Sequence, residues 1–494
     1  MKYCLESKIM SGINNTEIRK NGTYQAEACD LTSDGSGICK IREIGDTNDT
    51  GGFTVFVDGM IPGDTAEIKI IKTNKNYGYG KLIKLISPSE NRIKPNCPVF
   101  KNCGGCALQH MNYNAQLNYK RKTVESCLVK IGGIKNTSEL ISETIGMNTS
   151  HNPYNYRNKT QFPVNFDIKT GKVNMGFFSK RTHDIINIDS CNISYQINDE
   201  IISVFRKFFD GIKNSPKLAY DEITHTGLIR HIFTRVGFHT GEIMVCIVIN
   251  GDNLPNDICD KLIVGLKRIK GMTGIILNIN KEKTNVILGK TNKTLWGADY
   301  ITDYIGDKKF KISVNSFYQV NPVQTEKLYN KALEFAEVNQ DYNCESTICI
   351  DAYCGIGTIS IMFAPFVKKI YGVEIIPQAV NDAVENARIN NITNAEFIAG
   401  KSERIIPQLL KMNKCIDLII VDPPRKGCDI SLLDAISDAK IKKVIYISCD
   451  PATLARDLKI LCGHGGYEVQ KVQPIDMFPH TMHVEVICCL KLKK

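Results

Sequence analysis

Three cysteines stand close together, Cys97, Cys103 and Cys106, with two glycines between the second and third. Three thiolates within ten residues can close on one soft metal centre, and the glycines let the loop wrap tightly. A fourth ligand is needed, and spacing alone does not choose it from the remaining cysteines. Zinc and an iron–sulfur cluster both accept four thiolates. Another cysteine, Cys449, lies in KVIYISCDPATLARDL (443–458). There VIYIS reads as a strand that ends at the thiol, and Asp450 and Pro451 read as the N-cap and first residue of a helix. A thiol at a strand end beside a helix N-terminus sits where its anion is stabilised and accessible, which suits a nucleophile. The bland alternative is a small buried apolar residue, as most free cysteines are.

The stretch TICIDAYCGIGTISIMFA (347–364) reads as an apolar strand ending at Asp351, a Gly-x-Gly turn and an apolar helix. This is the first strand–turn–helix of a nucleotide-binding sheet, with glycines that let a ligand approach the backbone. Twenty-three residues past Asp351, Glu374 ends the strand IYGVE, where an acid can bind two ribose hydroxyls. A third glycine of a dinucleotide fingerprint and the Gly-Lys-Ser/Thr of a P-loop are both missing, against NAD and ATP. S-adenosylmethionine, with a ribose and no phosphate, fits best. In CIDLIIVDPPRKG (415–427) a strand ends at Asp422, and two prolines hold the backbone extended. Asp422 then faces the cleft from the carboxyl end of the fourth strand. Finally, DMFPHTMHVEVICCLKLK (476–493) passes through a polar turn into a terminal strand with Glu485 near its start.

These motifs need elements to carry them. The 494 residues are enough for roughly three or four domains. With 43% hydrophobic and 23% charged residues, global disorder is excluded. No apolar run reaches a membrane span, and the start lacks a signal peptide's apolar region. With 19 cysteines, an odd number in a long chain, a reducing cytoplasmic compartment is the expectation. The net charge of +10 fits a polyanion partner as readily as a mildly basic enzyme. Residues 1–20 read as a loose tail, and 21–88, with short strands between glycine turns, as a small β-barrel. Within it 42–52 reads as a long polar loop. KIIKTNKNYGYGKLIK (69–84) holds five lysines, two tyrosines and no acid, which suits single-stranded RNA against the plain reading of a solvated strand. Residues 89–134 carry the clustered cysteines and a helix over about 109–130. Residues 135–309 are mixed, with strands at 242–250 and 274–280 and a helix at 200–213. From 310 to 494 strands and helices alternate as in a doubly wound parallel sheet.

Taken together, NSFYQVNP (315–322), DAYCGIGTIS, YGVE, VDPPRKG, SCDPATLARDL and HTMHVE resemble the RNA uracil-5-methyltransferase family, in order, over residue 21 to the C-terminus. The segment CPVFKNCGGCALQH and the barrel resemble its 23S ribosomal RNA branch, the RumA-like enzymes. Those carry an OB-like TRAM barrel and a [4Fe-4S] cluster, and the tRNA branch normally lacks both. The resemblance implies a multidomain α/β chain: RNA-binding TRAM barrel, iron–sulfur segment, mixed α+β RNA-recognition domain and Rossmann-like class I S-adenosyl-L-methionine-dependent methyltransferase domain. It implies methylation of carbon 5 of a uridine in 23S ribosomal RNA by a cytoplasmic monomer without membrane or protein partner.

Residue by residue, the family's cluster ligands fall on Cys97, Cys103, Cys106 and Cys191, the last in NIDSCNIS. Its cofactor contacts fall on Gln319, Tyr353, Glu374 and Asp422, its nucleophile on Cys449 and its base on Glu485. Two departures stand out: the 42–52 loop is longer than a TRAM barrel needs, and Thr358 stands where some relatives have Asn. The chemistry accounts for these residue types. Carbon 5 of uracil is a poor nucleophile until a thiolate adds at carbon 6, and the carbon 5 proton must then leave to a base. A stacked base is out of reach and must be flipped or unpaired. Among other readings, an amino-methyltransferase using Asp-Pro-Pro needs no Cys449. An RNA-binding protein with a dead transferase domain would not need the intact Cys449, Glu485, Gln319 and Glu374. An electron carrier leaves the cofactor domain unexplained.

Overall fold

Alternating apolar and polar residues near the N-terminus turn one face of each short strand inward. In the computed structural model β1 (Thr23–Leu31), β2 (Gly37–Ile41), β3 (Phe53–Asp58), β4 (Thr65–Thr73) and β5 (Tyr77–Ser87) close a barrel in the order β1-β2-β3-β5-β4. The structure describes residues 18–41, 52–147, 152–212, 215–338, 346–412, 416–463 and 466–493. The expected tail up to residue 17 and the polar loop over 42–51 lie outside these. Ala26, Ala28, Val55, Val57, Ile68 and Ile70 fill the barrel interior. Gly80 leaves room there, because a Cβ would meet Val55, Val57 and Ile68 at 3.0–3.2 Å. The lysine-rich stretch forms the β4–β5 hairpin, beside a cluster of Phe56, Tyr77 and Tyr79 with ring centroids 5.6–5.9 Å apart. Past β5 the chain is anchored by Asp64, fully buried, which accepts from the Ile61 and Ser89 amides and from Arg92 Nε at 2.7, 2.9 and 2.9 Å. Burial would raise this carboxyl, but the Arg92 hydrogen bond and the two amides outweigh it and hold it below its ordinary value.

The barrel, with residues up to 94 and 110–112, forms one compact unit, and the remainder forms a second. In the second, α1 (Tyr113–Lys130) is flanked by the cysteine segment before it and the short α2 (Thr137–Leu140) after it. It starts later than the sequence predicts, because Gln109 is occupied in the cysteine turn. Gln116, Lys120, Val124 and Leu128 recur every fourth residue and form its buried stripe.

The middle of the chain builds a seven-stranded sheet. Its members are β6 (Lys159–Asp167), β7 (Lys172–Phe178), β8 (Ile185–Asn187), β9 (Ile229–Val236), β10 (Ile243–Ile249), β11 (Met272–Ile279) and β12 (Thr291–Gly297). The order is β12-β11-β10-β9-β6-β7-β8. Three helices belong to this stretch: α3 (Ile197–Asp210), the short α4 (Ser215–Leu218) and α5 (Asn256–Leu266). The all-apolar β10 is buried on both faces, which is why it shows no alternation. One face packs on α3 and α5 through Phe205, Phe209 and Leu262. The other joins a core with the hairpin of β13 (Tyr300–Ile305) and β14 (Lys308–Ser313) and with the C-terminal domain.

That domain opens with α6 (Pro322–Ala336), capped by Asn321. There follow β15 (Ile348–Ala352), α7 (Thr358–Phe363), β16 (Lys369–Glu374), α8 (Pro377–Ile389), β17 (Ala395–Ala399) and α9 (Ser402–Met412). The rest is β18 (Leu418–Val421), α10 (Ile430–Asp438), β19 (Lys443–Ser448), α11 (Pro451–Gly463), β20 (Tyr467–Ile475) and β21 (Glu485–Leu492). The sheet order is β17-β16-β15-β18-β19-β21-β20. The first five strands pair in parallel as the sequence predicts. The last does not: β21 runs antiparallel to both neighbours. Its connection from β20, residues 476–484, carries no helix and is too short for a parallel crossover. Residues 141–145 cover the β20 edge through hydrogen bonds from the Ser142 and Ile145 amides, both 3.0 Å. No described helix is long and apolar enough to cross a membrane.

Removing the buried Asp64 carboxylate leaves Arg92 and two amides without their acceptor. Asp64→Ala should destabilise the barrel by about 3 kcal/mol, read as faster hydrogen exchange across β1–β5 in the intact protein. Because the folded value lies below the unfolded one, the contribution is present above the ordinary carboxyl range and lost as pH falls through the folded value. Unchanged exchange in the variant would refute this role.

Candidate active site

Strand register creates the central pair. Ser448 on β19 lies opposite Val486 on β21, so one step further along each strand sets Cys449 opposite Glu485. On the other flank β18 is in register with β19, and Asp422 follows its last residue; the Asp422 amide reaches Ala352 O of β15 at 3.4 Å. Thus a thiol and two carboxyls meet at the carboxyl edge of the sheet. Asp450 caps α11 by accepting from the Ala452 and Thr453 amides at 2.9 and 3.0 Å, which turns the chain sharply after Cys449.

The field at this edge is dominated by negative groups. Burial, and then Asp422, push the Glu485 carboxyl up to about 8, and Arg425 opposes them. Burial pushes Asp422 to about 7. Burial, Glu485 and Asp422 push the Cys449 thiol up to about 11, again against Arg425. Arg425 is therefore the cation that faces both groups, and its Nη2 lies 3.4 Å from His483 Nε2. Sequence reading quoted this arginine within VDPPRKG but gave it no role. It also passed over Asp457, whose fully buried carboxylate accepts from Tyr446 Oη at 2.6 Å, the Cys428 amide at 2.8 Å and Arg456 Nε at 2.8 Å. That ties the Asp-Pro-Pro loop to α11. The only signal in the sequence was an acid on an otherwise unremarkable helix.

Along β15 and β16 the cleft continues. Gly355 and Gly357 both have positive φ, and at Gly357 a Cβ would lie 3.1 Å from Ala383 and Phe397. Glu374 is oriented by backbone: its carboxylate accepts from the Gly355 and Ile376 amides at 3.1 and 2.9 Å. Ile375 and Ile376 beside it expose apolar surface. Tyr353 holds a left-handed φ of 67° at the strand end, and its hydroxyl donates to Glu403 at 3.4 Å. Asp351 is fully buried: Ser360 Oγ donates to Oδ2 at 2.5 Å, and Oδ1 has no hydrogen-bond partner. Burial raises this carboxyl to about 7. Gln319 is buried ahead of α6, and its carbonyl accepts from Asn158 Nδ2 at 3.0 Å. So Asp422, Cys449 and Glu485 are brought together, Tyr353 and Glu374 end the adjoining strands, and Gln319 is fixed by the central sheet's leading segment.

A second feature lies apart from this edge. Cys97, Cys103, Cys106 and Cys191 line one cavity of about 220 Å³, together with Phe100 and Gln109. Two strands bring the distant thiol in. Cys103 bridges to Ser179 and the Gly104 amide donates to Phe178 O at 2.9 Å at the end of β7, and β8, which leads to Cys191, pairs with β7. Gln109 Nε2 donates to Cys106 Sγ at 3.3 Å, and the Gly105 amide to Cys103 Sγ at 3.4 Å. Burial pushes Cys106 to about 12 and Cys191 to about 11. Among the described residues no three His, Cys, Asp or Glu side chains converge as for a single metal ion. The four thiols surround a space rather than a point.

Comparison with known proteins bears on the family and the fold. Residues 277–494 match the tRNA (Uracil-5-)-methyltransferase family model, and residues 24–83 match the TRAM domain. A Clostridium tetani protein described as an uncharacterized RNA methyltransferase is 46% identical over 472 residues, covering 95% of this chain and 96% of that protein. One from Halalkalibacterium halodurans, similarly described, is 44% identical over 479 residues, covering 96% and 98%. Among solved structures, a Pyrococcus abyssi tRNA (uracil-54, C5)-methyltransferase in complex with S-adenosyl-L-homocysteine superposes with a TM-score of 0.72 at 26% identity, over 94% of this chain and 100% of that one.

Asp351 and Glu485 bind protons in the folded state that their unfolded counterparts release near the ordinary carboxyl values. Folding therefore takes up protons, and stability falls as pH rises from about 4 towards the folded values of about 7 and about 8. The melting temperature of the ligand-free protein should drop across this range. Asp351→Asn, which keeps an acceptor for Ser360 and never ionises, should make the drop shallower; an identical pH slope would rule out the raised carboxyl.

Proposed function

The chain belongs to the RNA uracil-5-methyltransferase family and uses S-adenosylmethionine, and from that premise we propose that it methylates carbon 5 of a uridine in 23S ribosomal RNA through Cys449 and Glu485. The observation that carries the chemistry is the cross-strand placement of a nucleophilic thiol opposite a desolvated carboxyl at the edge of the cofactor sheet. Cys449 adds to carbon 6 of the flipped base. As it adds, the thiol loses a proton that burial otherwise holds tightly; the Asp422 carboxylate is the local acceptor, Arg425 favours the thiolate, and Glu485 is left ionised for the later step. Bound S-adenosylmethionine supplies an electrophilic methyl group on a sulfonium, which the activated carbon 5 takes. Glu485 then removes the carbon 5 proton, and Cys449 leaves.

For the donor, Glu374 is the ribose ligand, with Gln319, Tyr353 and Asp422 as further contacts. The β4–β5 hairpin, lysine-rich and bearing the Tyr77 and Tyr79 rings beside Phe56 of β3, is the surface for stacking and charge on single-stranded RNA. Cys97, Cys103, Cys106 and Cys191 are the ligands of a [4Fe-4S] cluster, supported by a cavity that all four line. Zinc and an iron–sulfur cluster both accept four thiolates, and the family branch joining barrel and cysteines favours the cluster.

The ribosomal target rests on the family branch that joins barrel and cluster. A tRNA target is the second reading, favoured by the similarity to the Pyrococcus abyssi enzyme over 94% of this chain, which extends into the barrel and cysteine segments. Mapping 5-methyluridine in 23S ribosomal RNA and in tRNA, with and without the gene, separates them. Loss from 23S alone is expected; loss from tRNA alone overturns the proposal.

Two variant sets test the residues. Cys449→Ala should abolish methylation while donor binding persists, and Glu485→Gln should accumulate a covalent protein–RNA adduct on ordinary RNA. Normal turnover without adduct in Glu485→Gln would exclude it as the base. Anaerobically prepared protein should hold about four irons per chain, and Cys191→Ser should lower iron content and melting temperature together. Full iron in Cys191→Ser, or stoichiometric zinc in the wild type, would exclude the assigned cluster.

A further inference from the structure

The loop 476–480 has no regular structure, yet each of its five carbonyls is claimed by a residue from elsewhere in the same unit. Gln324 Nε2 donates to Asp476 O at 3.0 Å and Asn321 Nδ2 to Met477 O at 3.2 Å, both from the start of α6. Lys120 Nζ of α1 donates to Phe478 O at 3.1 Å, and Tyr156 Oη to Pro479 O at 3.1 Å. The Ala107 and Leu108 amides, directly after Cys106, both donate to His480 O at 2.9 Å. Gln116 closes the arrangement. Its Oε1 accepts from the His480 amide at 3.0 Å, and its Nε2 donates to Leu108 O at 3.0 Å. His480 has a left-handed φ of 65°, a conformation that such ties sustain in a residue with a side chain. Gln116 is fully buried, and Tyr156 nearly so.

Five residues after His480 comes Glu485. The nucleophile has a further anchorage of its own: Cys449 follows the last residue of β19, and the next residue, Asp450, caps α11. Both share the β19–β21 ladder, but the loop leads into the carboxyl's strand alone, so its slackening moves Glu485 more than Cys449. We propose that Gln116 and Tyr156 are positioning residues for the proton-abstraction step, acting through the 476–480 loop, and that the cysteine segment shares this task through Ala107 and Leu108. The inference rests on the reading of Glu485 as the base. A carboxyl displaced by about 1 Å from the carbon 5 proton loses much of its rate, whereas addition by Cys449 does not depend on it.

The test separates the two steps on intact protein. RNA carrying 5-fluorouridine traps the enzyme after addition and methyl transfer, because fluorine cannot leave as a proton; ordinary RNA reports clearance of the adduct. Tyr156→Phe removes one hydrogen bond and keeps the ring, and Gln116→Leu removes the amide's bonds at similar volume. Both should trap 5-fluorouridine RNA within about twofold of the wild-type rate, yet clear the adduct on ordinary RNA about tenfold more slowly. Iron content should stay at the wild-type level in Tyr156→Phe, which removes only the hydrogen bond to Pro479 O. Wild-type clearance in Tyr156→Phe, or an equal fall in trapping and clearance, overturns the positioning role. If the wild type itself traps no adduct, the covalent mechanism falls, and this inference with it.

Discussion

The reversal of the last strand is the constraint on which the site depends. Were β21 parallel to β19, no residue of it would enter the sheet at the edge where β19 ends. Run antiparallel, its first residue meets the residue after the last of β19, and the thiol and the carboxyl become cross-strand neighbours. The reversal in turn requires a short connection from β20, and so the loop 476–484 must lie across the end of the sheet. Its exposed backbone then needs partners, which α1, α6, Tyr156 and the cysteine segment supply. Much of the molecule outside the sheet is thus arranged around one turn of chain.

Electrostatics follows from the same geometry. Parallel strands deliver their terminal acids to one edge, and the desolvated Asp351 and Glu485 and the cleft-facing Asp422 all hold their protons more tightly than in water. Arg425 is the cation that faces both Cys449 and Glu485. Groups that hold their protons this tightly are brought to titrate closer to neutrality than carboxyls in water.

The sheet and most of the site were legible because their signals are local. Gly355 and Gly357 mark a turn, Glu374 and Asp422 mark strand ends, and Asp450 with Pro451 marks a helix start. What was not legible depends on pairing at a distance. The antiparallel setting of β21 is not written in its apolar run, which reads the same in either direction. Nothing in the sequence marks Lys120 and Gln116, because the partners Asp476 and His480 lie 356 and 364 residues away. Arg425 and Asp457 were hidden for the opposite reason: charged residues beside a loop and on a helix are ordinary until the fold shows which carboxyl or thiol they face.

The buried pair of Lys120 and Asp476 spans 356 residues of sequence, and this bears on the order of assembly. On a ribosome α1 is complete long before β20 and the loop after it exist. Until then its apolar and polar stripe has neither the sheet to pack on nor a counter-ion for the lysine, and burying it early would strand an unpaired charge. The helix must wait as a solvated tether, while the cysteine segment before it already has the end of β7 to pair with. Contacts this distant come with a high loop-closure cost and slow folding, so the final docking of the C-terminal strands completes the first part of the unit as well as the last.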